Sequence, residues 1–274
     1  MAHPELFSVV GHPVTHSLSP VIHRFWYQAA GLNAAYHALD LQSDTPVADL
    51  KALARAGFKG LNVTLPHKLS ALEAASEMSD AARLIGAANT LLLKGEGPQK
   101  TWYADNTDWT GFLWSLDRVC ETLPESAVLI GAGGAARGVA YALSQRGVKL
   151  TILNRTLEKA EVLIKDLNLS DADIGSLDEI NRVCAGHTLV INTVSLGHTG
   201  QSISLPPTQN GVFLDISYGQ AASETLRLVQ ESGWKTEDGL PMLIGQAADA
   251  FHLWFGLEPD REAALTHVRK AGGN

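Results

Sequence analysis

Lys68 closes the run GLNVTLPHK, residues 60–68, an apolar stretch punctuated by Gly60 and Pro66. A cation at the end of a strand-like segment has two readings. It solvates the first turn of the helix that follows, or it is held there to act on a bound group. The helix macrodipole favours anions in a first turn, which weighs toward the second reading. Ser17 and Ser19, in HSLSP at 16–20, pose the same choice. Ser19 before Pro20 reads as a helix N-cap with proline at the first helical position, and that accounts for Ser19 alone. Two hydroxyls two residues apart beside a helix start could also take a carboxylate. Asn62 and Thr64 before Pro66, Asn89 in GAANT and Asp108 in DNTD fall where turns are expected. Asn89 could satisfy turn backbone there, and Asp108 could cap a helix starting at Trp109.

The second chemical signal is GAGGAA, 131–136, after the apolar VLI. It fits G-x-G-x-x-A with Gly131, Gly133 and Ala136. The first glycine allows the tight turn, the second lets backbone approach a pyrophosphate, and the alanine lets helix and strand pack closely. The helix N-terminus then faces the anion. At the end of the next strand-like run, an NAD site carries Asp or Glu for the ribose 2′-hydroxyl. This chain has Asn154, Arg155 and Thr156 there, with Lys159 one turn on. A guanidinium can grip a 2′-phosphate that a carboxylate would repel, so the expected cofactor is NADP. The plainer reading is a surface Arg and Lys on a helix start with Asn154 as cap, and Glu158 beside them.

These residues need a scaffold. Residues 5–10, 34–39 and 59–65 read as strands. Residues 20–30 and 46–56 read as helices, each followed by a glycine, Gly31 or Gly57, suited to a C-terminal cap. Alternating strands and helices predict a mostly parallel sheet. LLLKGEGPQKTWYA reads as a hairpin around a Gly/Pro turn. A helix is expected at 109–120. Strands follow in SAVLI, VKLTILNRT, HTLVINT and GVFLDIS, and two helical stretches run from about 240. The expected architecture is α/β with two domains and a cleft between them. One comprises 1–108 and 240–274 and binds substrate; the other, 109–239, is of Rossmann type.

Composition narrows the class. The chain has 274 residues, is 45% hydrophobic and carries a net charge of −8. That argues against a nucleic-acid or anionic-membrane surface, which needs a basic footprint. No uninterrupted apolar run approaches a membrane span, and the N-terminal stretch has no basic n-region of a signal peptide. Cys120 and Cys184 fit no metal or redox spacing and read as reduced thiols in a cytoplasmic protein. His12, His16 and His23 match no zinc pattern, so no metal is expected.

Taken in order, GHPVTHSLSPVIH, GLNVTLPHK, GAANT, DNTD, GAGGAARG, NRT and DGLPMLIGQA resemble the shikimate dehydrogenase family over nearly the whole chain. The resemblance implies reversible reduction of 3-dehydroshikimate to shikimate with NADPH, by a monomer or homodimer. It implies that Ser17 and Ser19 bind the substrate carboxylate with Tyr218 near it, that Thr64, Asn89 and Gln246 hold ring hydroxyls, and that Lys68 and Asp108 are the catalytic pair. Cofactor binding is assigned to Gly131, Ala132, Gly133, Gly134 and Ala135, to Asn154, Arg155, Thr156 and Lys159, and to Gly239. The chain departs from the family at Trp109, at YGQAASET after Tyr218 and at INTVSLGH. The alternatives are a paralogue acting on quinate or an aminoshikimate, or a catalytically silent NADP-binding regulatory module.

Overall fold

The computed structural model describes residues 3–194 and 200–271. The chain divides into two compact units. One runs through Asp108 and resumes at Ile244–Ala271, and the other is Trp109–Leu243.

The first unit is built on a six-stranded sheet of β1 (Glu5–Gly11), β2 (Ala34–Asp40), β3 (Phe58–Val63), β4 (Ala75–Met78), β5 (Thr90–Lys94) and β6 (Thr101–Asp105), in the order β2-β1-β3-β5-β6-β4. β1 runs parallel to β2 and β3. β5 is antiparallel to β3 and to β6, the expected hairpin, and β4 pairs parallel with β6. The helices are α1 (Ser19–Ala29), α2 (Pro46–Ala56), α3 (Lys68–Ala74) and α4 (Asp80–Ile85). α2 ends where predicted, because Gly57 takes a left-handed φ of 97° at its C-cap. Leu50 and Ala54, one turn apart, turn into a core with Val10, Leu61, Leu91 and Trp102. β3 stops at Val63, two residues short of the expected end. The Thr64 N–H still bonds the Val10 carbonyl, but the His67 N–H then closes a turn onto Thr64, and α3 opens at Lys68. β4 was not expected. Its sequence, ASEM, shows no apolar alternation, and it pairs only along the sheet edge.

The second unit opens with α5 (Asp108–Val119) and holds β7 (Ser126–Ile130), α6 (Gly134–Gln145), β8 (Lys149–Leu153), α7 (Leu157–Asp166), β9 (Asp173–Gly175), α8 (Ile180–Cys184), β10 (Leu189–Asn192), β11 (Val212–Asp215), α9 (Gln220–Glu231) and β12 (Lys235–Glu237). Every pairing described in its sheet is parallel, and the order is β12-β11-β10-β7-β8-β9. The chain therefore starts in the middle, fills one side through β9, then crosses to β10. That is the doubly wound dinucleotide-binding order, with its switch point between β7 and β10. The central strands read as near-continuous apolar runs (AVLI, LVIN) because helices cover both faces. One core joins Phe112, Leu116, Leu129, Val139, Leu143, Ile152 and Leu163.

α10 (Leu240–Phe255) and α11 (Arg261–Lys270) close the chain. Met242, in the first turn of α10, packs into the second unit's core, which carries the boundary between units into this helix. Among the described residues no helix is long and apolar enough to cross a membrane.

Candidate active site

Lys68 is not a solvated helix-start lysine. Its side chain is only 12% exposed, and its Nζ donates to Oδ2 of Asp108 at 2.5 Å. Asp108 is itself buried, with a side chain 7% exposed. The backbone at Lys68 is held on both sides. The His67 ring, buried just before it, donates from Nε2 to the Leu41 carbonyl at 2.7 Å, so that nitrogen carries the proton. The Lys68 carbonyl accepts from Ala88 N–H at 3.0 Å. α5 begins at Asp108, so this residue lies inside the helix and not before it; its N–H donates to Asn106 Oδ1 at 3.1 Å, and its carboxylate meets Lys68 and Asn89. An ion pair withdrawn from water contributes little net stability, because desolvation offsets its attraction. Its presence calls for another explanation.

Asn89 is the hub of this site. Its Nδ2 faces Oδ1 of Asp108 at 2.9 Å, Oγ1 of Thr107 at 3.1 Å and Oε1 of Gln246 at 3.2 Å. Its Oδ1 accepts from the Thr107 N–H at 2.7 Å and the Thr90 hydroxyl at 3.1 Å. A backbone N–H can only donate, so the Thr107 contact fixes which end of the amide is oxygen. Gln246 comes from α10, 157 residues away in sequence, and is 7% exposed. Thr64 sits at the turn after β3, half-buried against Gly11. A Cβ on Gly11 would lie 2.3 Å from the Thr64 methyl, so only glycine at 11 leaves Thr64 its place.

Ser19 does not take the expected capping position. α1 begins at Ser19, which therefore is not the N-cap, and no side chain caps that helix from Leu18. Instead the Ser19 N–H donates to Ser17 Oγ at 3.3 Å. Ser17 thus has a structural use of its own, while Ser19 is 3% exposed. Of the three histidines, His12 pairs with Asp40 at 2.7 Å, and His23 lies fully buried in an aromatic cluster, stacked 4.2 Å from Tyr36. Burial pulls the His23 imidazole down to about 3, so it is neutral. Among the described residues no group of three or more His, Cys, Asp or Glu is placed to hold a metal.

In the second unit the glycine-rich turn is made of backbone. Gly131 has φ +110°, a conformation L side chains rarely adopt, and a Cβ there would lie 2.4 Å from Thr193 Oγ1. Gly133 is different. Its Cβ would meet nothing within 4 Å, so the absent side chain leaves open space over the turn. No side chain caps α6, and Ala136 is fully buried where helix meets sheet. An uncapped helix start beneath an open glycine is what a pyrophosphate needs. At the end of β8, Asn154 donates to the Thr156 carbonyl at 2.7 Å, and Arg155 and Lys159 are exposed. Their positive ends are available to a 2′-phosphate, and no side chain caps α7 from Thr156. These residues fit NADP.

Tyr218 and Gly239 lie in this second unit and are not among the residues that the first unit brings together. Gly239 N–H donates to the Ser217 carbonyl at 2.8 Å, and a Cβ on Gly239 would lie 1.9 Å from the Ile216 carbonyl oxygen. Gly239 is thus required for packing. Of the INTVSLGH departure, residues 195–198 lie outside the described residues. The departing Trp109 packs edge-on against Tyr141, ring centres 5.4 Å apart. Tyr36, Thr90, Asn106 and Thr107 carry no local motif that marks them, yet all join the Asn89 hub or its flanks. A signal was present: the Asn-Thr pair occurs at 89–90 and again at 106–107, and the two pairs bond each other.

Comparison with known proteins covers nearly the whole chain. Residues 9–91 match the family profile described as shikimate dehydrogenase substrate binding domain, 117–217 that of shikimate / quinate 5-dehydrogenase, and 239–269 that of the shikimate 5′-dehydrogenase C-terminal domain. The NADP(+) shikimate dehydrogenase of Hyphomonas neptunium is 45% identical over 97% of both chains. That of Gluconobacter oxydans is 37% identical over 95% of this chain and 93% of its own. Among solved structures, the shikimate dehydrogenase of Aquifex aeolicus superposes with a TM-score of 0.88 at 33% identity, covering 98% of this chain and 100% of its own. The Thermus thermophilus enzyme in complex with NADP(H) and shikimate gives 0.82 at 35%, covering 97% and 99%. The quinate, aminoshikimate and silent-module alternatives are not favoured by these relatives. The chain belongs to the shikimate dehydrogenase family.

Proposed function

We propose that this chain catalyses the reversible, NADP-dependent interconversion of shikimate and 3-dehydroshikimate, with Lys68 and Asp108 as its catalytic pair. The observation that carries the assignment of the pair is its burial: a desolvated lysine bonded to a carboxylate that is itself held by Asn89. Ketone reduction needs a hydride at carbon and a proton at oxygen. NADPH, when bound, supplies the hydride. The Lys68 ammonium polarises the carbonyl and gives its proton to the oxygen as the alkoxide forms; in the oxidation it takes that proton back. Asp108 holds the ammonium in place through its 2.5 Å bond to Nζ. Ser17 and Ser19 are read as the carboxylate subsite, and Thr64, Asn89 and Gln246 as partners of the ring hydroxyls. A buried amide and hydroxyls discriminate well, because an analogue lacking the matching group leaves them unpaired.

Arg155 and Lys159 support NADP over NAD, since no carboxylate ends β8. The two cysteines are free, which fits a reducing, cytoplasmic setting, and burial pushes the Cys184 thiol up to about 12, so it is an unreactive core group. The test is initial-rate kinetics with shikimate, quinate and aminoshikimate, each with NADP and with NAD. The expected result is highest kcat/KM for shikimate with NADP. Equal turnover of quinate, or equal use of NAD, would overturn the corresponding half of the assignment.

A further inference from the structure

A buried line of hydrogen bonds runs beneath this site, and its donors all point one way. The Tyr36 hydroxyl donates to Asn62 Oδ1 at 2.7 Å. Asn62 Nδ2 donates to Thr90 Oγ1 at 3.3 Å. The Thr90 hydroxyl donates to Asn89 Oδ1 at 3.1 Å, and Asn89 Nδ2 donates to Asp108 Oδ1 at 2.9 Å. The line ends on the carboxylate whose other oxygen receives Lys68. Tyr36, Asn62, Thr90, Asn89 and Asp108 are all buried. At the far end the buried Ser19 side chain lies close enough to the Tyr36 phenol to act on it electrostatically. The phenol ring is clamped by its stacking on neutral His23, 4.2 Å away and 10° from parallel.

We infer that Tyr36 is a positioning residue for the Lys68–Asp108 pair, acting through Asn62, Thr90 and Asn89. The proposal rests on the catalytic reading of that pair. A hydroxyl has one hydrogen. While Tyr36 donates to Asn62 Oδ1, the Asn62 amide must present its N–H to Thr90, and the Thr90 hydroxyl keeps its own hydrogen for Asn89 Oδ1 at 3.1 Å, with Thr107 Oγ1 at 3.2 Å as the neighbouring acceptor. Remove the Tyr36 hydroxyl and Asn62 Oδ1 is left buried without that donor. Its amide can then turn, offer oxygen to Thr90 and draw the Thr90 hydrogen away from Asn89. The Asn89 N–H bonds to Asp108 weaken, because bonds in a chain polarise one another. Thr107 N–H still orients Asn89, so the effect is graded and not all-or-none.

Four variants test this: Tyr36→Phe, Thr90→Val, Thr90→Ser and Lys68→Ala, each checked for folding by its melting curve. Tyr36→Phe keeps the ring and its stacking on His23, and Thr90→Val keeps the shape. Both are expected to lower kcat for shikimate roughly three- to tenfold while moving the KM for NADP less than twofold. Thr90→Ser, which restores the hydroxyl, is expected to stay within twofold of wild type. A purely structural role predicts instead that Thr90→Val and Thr90→Ser lose alike, in step with their melting temperatures. That outcome overturns the inference, as does wild-type kcat in both folded Tyr36→Phe and Thr90→Val. Lys68→Ala separates the two levels of argument. If it is inactive while Tyr36→Phe is unaffected, the inference alone fails; if it keeps wild-type turnover, the catalytic reading fails.

Discussion

In the first unit, a lysine, an aspartate, an asparagine and a glutamine are withdrawn from water and bonded to one another, at distances of 2.5 to 3.2 Å. In the second unit the candidate cofactor turn offers glycine and alanine, and what it presents is backbone: a left-handed residue at Gly131, open space at Gly133 and an uncapped helix start. The two regions divide labour by material. A site of side chains can be tuned for proton transfer, since burial makes each charge and hydrogen bond count for more. A site of backbone cannot be tuned by swapping functional groups, only filled or distorted. Substitutions in the first should therefore register in kcat, and those in the second in cofactor KM.

The largest break in that pattern would come from Lys68. In Lys68→Ala, kcat for shikimate should fall by about 10²–10⁴, the contribution of a positioned acid or base. Its substrate KM should move much less, because the serines, Thr64, Asn89 and Gln246 remain. Steady-state kinetics on protein shown to be folded decides it.

The two glycines sharpen the contrast inside the second unit. Gly133→Ala adds a methyl that meets no protein atom and leaves an ordinary φ of −88°. It should leave the melting temperature of the cofactor-free protein unchanged and raise the KM for NADP roughly tenfold, since the methyl stands where pyrophosphate must approach. Gly131→Ala should instead cost the fold itself about 1–3 kcal/mol, from a left-handed alanine pressed against Thr193. Calorimetry with and without NADP separates the two. The smallest effect is expected at Arg155. It is exposed, so its hold on a 2′-phosphate is screened, and Arg155→Asp should raise the KM for NADP about fivefold while sparing NAD.

The sequence made the second unit's turn easy to see because backbone demands are written locally. Six residues between a strand and a helix suffice, and the glycines say why they are there. Helix ends were equally local: Gly57 stops α2 where its left-handed φ permits. The first unit's site was legible only in pieces. Lys68, Asn89 and Asp108 stood out singly, but nothing in sequence spacing says that Gln246 reaches Asn89 from α10. Tyr36 and Thr90 read as ordinary strand residues, since a strand buries every second side chain whether or not its hydroxyl is used. Helix starts turn on a single residue: α1 begins at Ser19 and α5 at Asp108, so neither precedes its helix. Ser19 and Asp108 had the right type, yet Ser17 and Asn106 supply the side-chain oxygens that bond those N–H groups. Short β4, β9 and β12 carry too few residues to show a period.

The central claim is that Lys68 and Asp108 act as one unit, and a double-mutant cycle on kcat tests it most directly. Lys68→Ala, Asp108→Asn and the double variant are compared with wild type, using shikimate and NADP at saturation and circular dichroism to confirm folding. The account predicts that each single change lowers kcat and that the double variant is scarcely worse than Lys68→Ala alone, because groups that share one task do not lose it twice. Losses that multiply across the cycle, or a folded Lys68→Ala protein within a few-fold of wild-type kcat, would contradict it.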